Sequence, residues 1–247
     1  MIHLKALPGA PLFAGSLDAV IDAALIDARA IVEGGGDGFA IENYGDRPFV
    51  KDRVGAETVA AMTAVISEVQ RAVRVPFGVN VLRNDAASAL AIAAATDAVF
   101  IRINIHTGAM LTDQGVIEGR AAQTLRLRAR LAPDVAIFAD HLVKHAVPLG
   151  AVDPVQSAKD LRLRGLADAV IITGVETGSA PDAERFRAIR EELDAPLIVG
   201  SGLTTQNAAA FAAADAAIVG TAIKRGGEID QPVEAKRVAA LVRAFKA

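Results

Sequence analysis

The chain has 247 residues, 52% of them hydrophobic and 22% charged, with 21 Gly, 10 Pro and no Cys. That apolar content suffices for a large core and argues against disorder, and the lack of thiols excludes disulfides, Cys nucleophiles and thiolate metal sites. With 26 basic and 29 acidic residues the formal charge is -3, which gives no drive toward nucleic acid, and no Trp with one Tyr leaves little for a base-stacking platform.

From the N-terminus, Met1 to Leu7 lacks the apolar run of a secretory leader, and Ala86 to Ala95 is too short and Ala-rich to span a bilayer. A soluble cytoplasmic protein is expected. Short segments rich in Val, Ile and Phe alternate with longer Ala-rich segments that carry charges at helical spacing. The predicted strands cover 2–5, 38–42, 77–81, 98–104, 135–140, 169–173, 197–200 and 216–220. The predicted helices cover 17–33, 55–73, 84–95, 115–131, 154–164, 182–193, 205–213 and 233–245. Gly34-Gly35-Gly36 stops the first helix, and Pro76 and Pro196 force extended backbone before strands. Asn84-Asp85 and Thr204 are expected caps, Asp113 is expected to cap the fourth helix, and Pro154 and Pro181 suit first turns.

Eight strands alternating with eight helices predict parallel β/α units, because a parallel crossover needs a helix-sized return. The expected fold is α/β, a single (β/α)8 TIM barrel over residues 1–247 with its site on the C-terminal face. A doubly wound open sheet competes, but His3-Leu4-Lys5-Ala6-Leu7-Pro8-Gly9 is not the Gly-x-Gly-x-x-Gly expected after its first strand.

Polar residues collect at the predicted strand ends. Along Val99 to His106 the β-branched residues hold one parity, so Phe100, Arg102, Asn104 and His106 are expected to point into the barrel. The same reading turns Asn80, Glu42, Asp140 and the pair His3 and Lys5 inward. Candidate catalytic residues are Glu42 and Asp140 as acid/base groups, Lys5, Arg102 and Lys144 as cations, and His106. Arg83 and His145, with Asn80 and Asn104, are candidate substrate contacts. Lys5 and Lys144 are the candidate imine-forming amines, a role that requires a lowered pKa. A divalent metal held by Glu42, Asp140 and His145, with His141 four residues before His145, is an open alternative. Mutually neutralised buried pairs are the bland alternative for the whole cluster.

At the other side, Gly200-Ser201-Gly202 and Gly220-Thr221 end the seventh and eighth strands, where barrels commonly hold phosphate. Tight turns alone would also explain those glycines. The segment Asn43 to Arg53, with Tyr44 and Phe49, is expected either as a lid whose Arg47, Lys51 or Arg53 reaches an anion or as a contact in a homo-oligomer. The loop Thr107 to Glu118 is a second candidate cover.

Several of these pieces resemble the BtpA family of (β/α)8-barrel proteins. They are His3 to Gly9, Glu42 to Asp46, Lys51-Asp52-Arg53, Gly78 to Asp85, Arg102 to Gly108, Thr112 to Gly115, Lys144-His145 and Gly200-Ser201-Gly202. Asp140-His141-Leu142-Val143-Lys144-His145 departs from the family's usual Asp-Val-x-Val-Lys-His, which weakens a role for His141 and leaves Asp140, Lys144 and His145 in place. The resemblance implies, for the namesake branch, a peripheral thylakoid factor in photosystem I biogenesis or stabilisation, and for other members enzymes of sugar-utilisation gene sets.

The residues favour an enzyme acting on a small phosphorylated sugar or related phosphate ester. Isomerase or epimerase chemistry leads, because paired acid/base groups suffice and no redox fingerprint is visible. An aldolase and a glycosidic-bond lyase or hydrolase are further alternatives. A non-catalytic assembly factor at a membrane surface is the rival class. No cofactor is called for beyond the open metal, and neither a nucleic-acid partner nor a transmembrane segment is expected.

Overall fold

The computed structural model describes residues 1–174 and 181–246. In chain order it begins β1 (Ile2–His3), α1 (Leu17–Glu33), β2 (Phe39–Glu42), α2 (Ala56–Ala72), β3 (Phe77–Asn80), α3 (Ala86–Thr96) and β4 (Phe100–Ile103). There follow β5 (Ala109–Thr112), β6 (Gly115–Glu118), α4 (Ala121–Leu131), β7 (Ala136–His141), β8 (Ala146–Pro148) and α5 (Pro154–Leu163). The chain continues with β9 (Ala169–Ile172), α6 (Ala183–Glu192), β10 (Leu197–Val199), β11 (Ala216–Ala217) and α7 (Ala235–Lys246).

Eight strands pair in parallel in the order β1-β2-β3-β4-β7-β9-β10-β11, as the alternation of elements predicts. The sheet curls until the seam closes, where the Met1 amino nitrogen donates to the Val219 carbonyl at 2.7 Å. Alternate residues sort the interior from the outer layer. Ile41, Val79, Ile101, Ile137, Val170 and Val199 pack beneath the helices, whereas Phe138, Ile171, Ile198 and Ile218 form a separate cluster inside the barrel. Phe100 stacks on Phe138 with ring centroids 4.4 Å apart, filling the lower interior. The register His3↔Glu42↔Asn80↔Arg102 then sets these polar side chains side by side above the aromatic floor.

Short side chains fix the helix starts. Ser16 accepts from the Ala19 N–H, Asp85 from Ser88, Asp153 from Gln156 and Asp182 from Glu184 and Arg185. Pro154 does open α5, but Pro181 precedes the cap of α6 rather than entering its first turn.

Two predicted helices are corrected. Residues 115–118 belong to β6, which pairs antiparallel with β5, and α4 starts only after Arg120, so Asp113 lies in a hairpin turn and caps nothing. Strand β8 joins the far side of β5, making a three-stranded sheet over the C-terminal side of the barrel. Between β10 and β11 stands a short 3-10 turn, Ala208–Phe211, in place of a helix over 205–213. Thr204 does not cap it; its N–H donates to Asn207 Oδ1 at 2.8 Å. Among the described residues no helix is long and apolar enough to cross a membrane.

Candidate active site

Asn80, Arg102, Asn104 and Asp140 come from three neighbouring strands and lock together inside the barrel. Arg102 donates from Nε to Asp140 Oδ1 and from Nη2 to Oδ2, both at 3.0 Å. Asn104 Nδ2 reaches Asp140 Oδ2 at 2.8 Å, and Asn80 Nδ2 reaches the Arg102 carbonyl at 3.1 Å. The Asp140 side chain is 0% exposed and its oxygens already accept three bonds, so the expected base is held by Arg102 and Asn104 with no surface open to the cavity. Burial acts to lower the Arg102 pKa, but the Asp140 and Glu42 charges outweigh it and hold the guanidinium above its ordinary value.

Glu42 is the other inward carboxylate. Its only ion-pair geometry among the described residues is with His3, Oε1 to Nε2 at 3.7 Å. Burial, helped by surrounding cations, pushes the His3 pKa well below its usual value, so the contact is between a carboxylate and a neutral imidazole. Lys144 reaches the same cavity from the loop after β7. Its pKa is lowered, by burial first, with Arg102 and Arg83 adding to the effect and Glu42 and Asp140 opposing it. Among the described residues its Nζ has no hydrogen-bond or ion-pair partner.

This cavity, of about 460 Å³, is lined by His3, Glu42, Arg102 and Lys144 on one side and by Ser201, Gly202, Gly220 and Thr221 on the other. The two groups of strand ends, distant in sequence, therefore open onto one space. The Ser201, Gly202 and Gly220 N–H groups donate to no backbone carbonyl of the described residues. A Cβ added at Gly220 would lie 2.6 Å from His3 Cε1, so any larger residue here displaces the imidazole. Gly200 is not part of this wall; its N–H is spent on the Ile172 carbonyl at 2.9 Å. Arg237 of α7 also lines the cavity and was missed, since nothing in an amphipathic C-terminal helix distinguishes one surface Arg from another.

The segment after β2 folds over the mouth. Asn43 Oδ1 accepts from the Leu82 N–H at 2.7 Å, and Asp46 Oδ1 accepts from the Leu7 N–H at 2.8 Å, pinning the turn. Gly45 N–H donates to the Leu4 carbonyl, and a Cβ there would collide with the Ala6 nitrogen. Tyr44 consequently packs on His3, centroid to centroid 4.9 Å, and the Arg47 guanidinium sits 4.8 Å from the Tyr44 ring centre. Lys51 and Arg53 are exposed and line neither mouth cavity.

Lys5 and His106 fall outside the cluster. β1 ends at His3, so Lys5 loses the strand parity and is exposed against a groove beside α1. β4 ends at Ile103, and His106 turns away to the Gly165 carbonyl, Nε2 to O 2.8 Å. The metal set is not assembled: among the described residues no three His, Asp or Glu side chains converge, and the Asp140 oxygens are engaged by Arg102 and Asn104.

The sequence matches the profile of the BtpA family over residues 1–247. It is 45% identical to the photosystem I biogenesis protein BtpA of Synechocystis sp. over 99% of this chain and 86% of that protein. The chain belongs to the BtpA family. It is also 45% identical to an uncharacterized protein of Archaeoglobus fulgidus, over 100% of this chain and 97% of the other. A thiamine phosphate pyrophosphorylase from Pyrococcus furiosus superposes with a TM-score of 0.61 at 15% identity, covering 90% of this chain and 89% of the other; that likeness concerns the fold alone. His141 lies outside the main cavity, with Nε2 2.6 Å from Ser157 Oγ. His145 is exposed and borders a second cavity beside Glu42 and Lys144.

Proposed function

We propose that this BtpA-family protein is a cytoplasmic enzyme acting on a small phosphorylated sugar or related phosphate ester, by isomerisation or epimerisation through acid–base chemistry. One observation carries the reading: Glu42 and Lys144 share a cavity with the open amides of Ser201, Gly202 and Gly220. The phosphate binds to those amides, with the Ser201 and Thr221 hydroxyls and Arg237 beside them. Glu42 takes the proton from the bound carbon or hydroxyl, and Lys144 and Arg102 stabilise the negative charge that develops. Asp140 orients Arg102. The lowered pKa of Lys144 also makes it the amine through which an aldolase would form an imine, a branch that borohydride trapping with substrate would expose.

The assembly-factor reading has its own support. Leu111, Val147, Leu149 and Val152 leave apolar surface exposed on and beside the small antiparallel sheet. The equal identity to the Synechocystis and Archaeoglobus proteins favours neither relative as a guide to function.

The test is a screen of phosphorylated pentoses and hexoses for a product of unchanged mass or a cleavage product. Turnover is expected, with Glu42→Gln lowering it by about 10^2 or more. Absence of turnover together with failure to bind inorganic phosphate would overturn the enzyme reading, and a Glu42→Gln protein that keeps full biological function would favour the assembly role.

A further inference from the structure

The mouth holds a second cavity, of about 370 Å³, that shares Glu42 and Lys144 with the first. Those two side chains thus stand in the partition between two lobes. The second lobe has aromatic walls, Tyr44 and Phe49, with ring centroids 6.4 Å apart. Its cations outnumber its carboxylates: Arg47, Arg83 and Lys144 face Glu42 and Asp113.

Arg83 is the group that the first lobe does not explain. It is 5% exposed, yet no carboxylate of the described residues lies within ion-pair distance of it, and its Nε has no hydrogen-bond partner. Its Nη2 donates to the Lys144 carbonyl at 2.9 Å. Arg47 differs, for it pairs with Asp230 at 3.5 Å. A desolvated guanidinium without a counter-ion is costly, and such a charge is retained where something else supplies the anion. Asp140, Asp113 and Glu42 attract it only from beyond ion-pair distance, and the Asp140 oxygens already serve Arg102 and Asn104.

We infer that the second lobe receives an anionic group at the far end of the substrate. The ligand then carries a phosphate in the first lobe and a carboxylate or second phosphate in the second, with the reacting carbons between them beside Glu42 and Lys144. This rests on the phosphate reading of the first lobe. Because the same guanidinium grips the Lys144 carbonyl, an anion that draws on Arg83 also fixes the backbone from which the Lys144 amine extends.

Calorimetric titration of the full chain with a pentose 5-phosphate, the matching 1,5-bisphosphate and the matching 5-phosphopentonate tests this. At least one two-anion probe should bind about tenfold or more tightly than the monophosphate, and which one does so tells phosphate from carboxylate. In Arg83→Gln that ratio should fall to near one. Arg83→Lys, which keeps the charge but loses the planar fork, should give an intermediate ratio, and it serves alone if melting curves find the Gln variant unfolded. Equal affinity for all three probes, or a ratio unchanged in the Arg83 variants, overturns the inference and leaves the phosphate reading standing. If the monophosphate and both two-anion probes all fail to bind, both fall.

Discussion

Two inward carboxylates that look interchangeable in the sequence have opposite environments. Asp140 is enclosed by Arg102 and Asn104, which take three bonds from its oxygens, whereas Glu42 faces the cavity it shares with Lys144, and its one ion-pair-distance neighbour among the described residues is the neutral His3 imidazole. Asp140→Asn leaves the buried Arg102 charge without its counter-ion, so it should cost about 3 kcal/mol or more in a urea-unfolding experiment. Glu42→Gln should lose turnover at little cost in stability. Period-two reading found the inward set of β4 correctly for Phe100, Arg102 and Asn104. It failed at His106 and Lys5 for one physical reason: parity holds only while the backbone stays extended, and β4 and β1 stop at Ile103 and His3. Arg83 could be nominated from its place after a strand, but not its lack of a counter-ion, which depends on where distant carboxylates spend their lone pairs.

At the level of elements, Asp85 joins two parts of the mouth. Its Oδ1 accepts from the Ser88 N–H at 3.0 Å to cap α3, and its Oδ2 accepts from the Val54 N–H at 3.0 Å, closing the long segment after β2. Asp85→Ala should therefore destabilise by about 2 kcal/mol, at the upper end of a lost cap, because a buried N–H is orphaned as well. Urea unfolding measures the cost, and proteolysis within 43–53 should accelerate if that segment loosens. The eight parallel strands and most helices were legible because each has a local signature of period or cap. The sheet of β5, β6 and β8 was not. Its apolar residues Val116 and Ile117 continue into a helical pattern, and half of its pairing is with Ala146–Pro148, which no local window contains.

For the molecule as a whole, buried histidines tie stability to acidity. The His141 pKa is lowered to about 4, by burial first and then by Arg185, and His3 is lowered in the same direction. Both are neutral in the folded chain, so the unfolded chain binds more protons below its own pKa near 6.5. The contribution is complete above that value and is lost as pH falls toward about 4, a change of about 3 kcal/mol for the full His141 shift. Melting temperature should accordingly decline from pH 7 to pH 4, and less steeply in His141→Gln; an equal slope in the variant would refute the assignment to His141.

The antiparallel sheet has a consequence for how such a barrel can change. Its strands come from the loops after β4 and β7, stitched together by backbone pairing of Leu111 with Val147 and of Thr112 with Ala146. Barrels are commonly diversified by exchanging one rim segment at a time. Here the two segments are co-dependent, so a transplant of either into another scaffold, or an insertion in one during divergence, must carry its partner along.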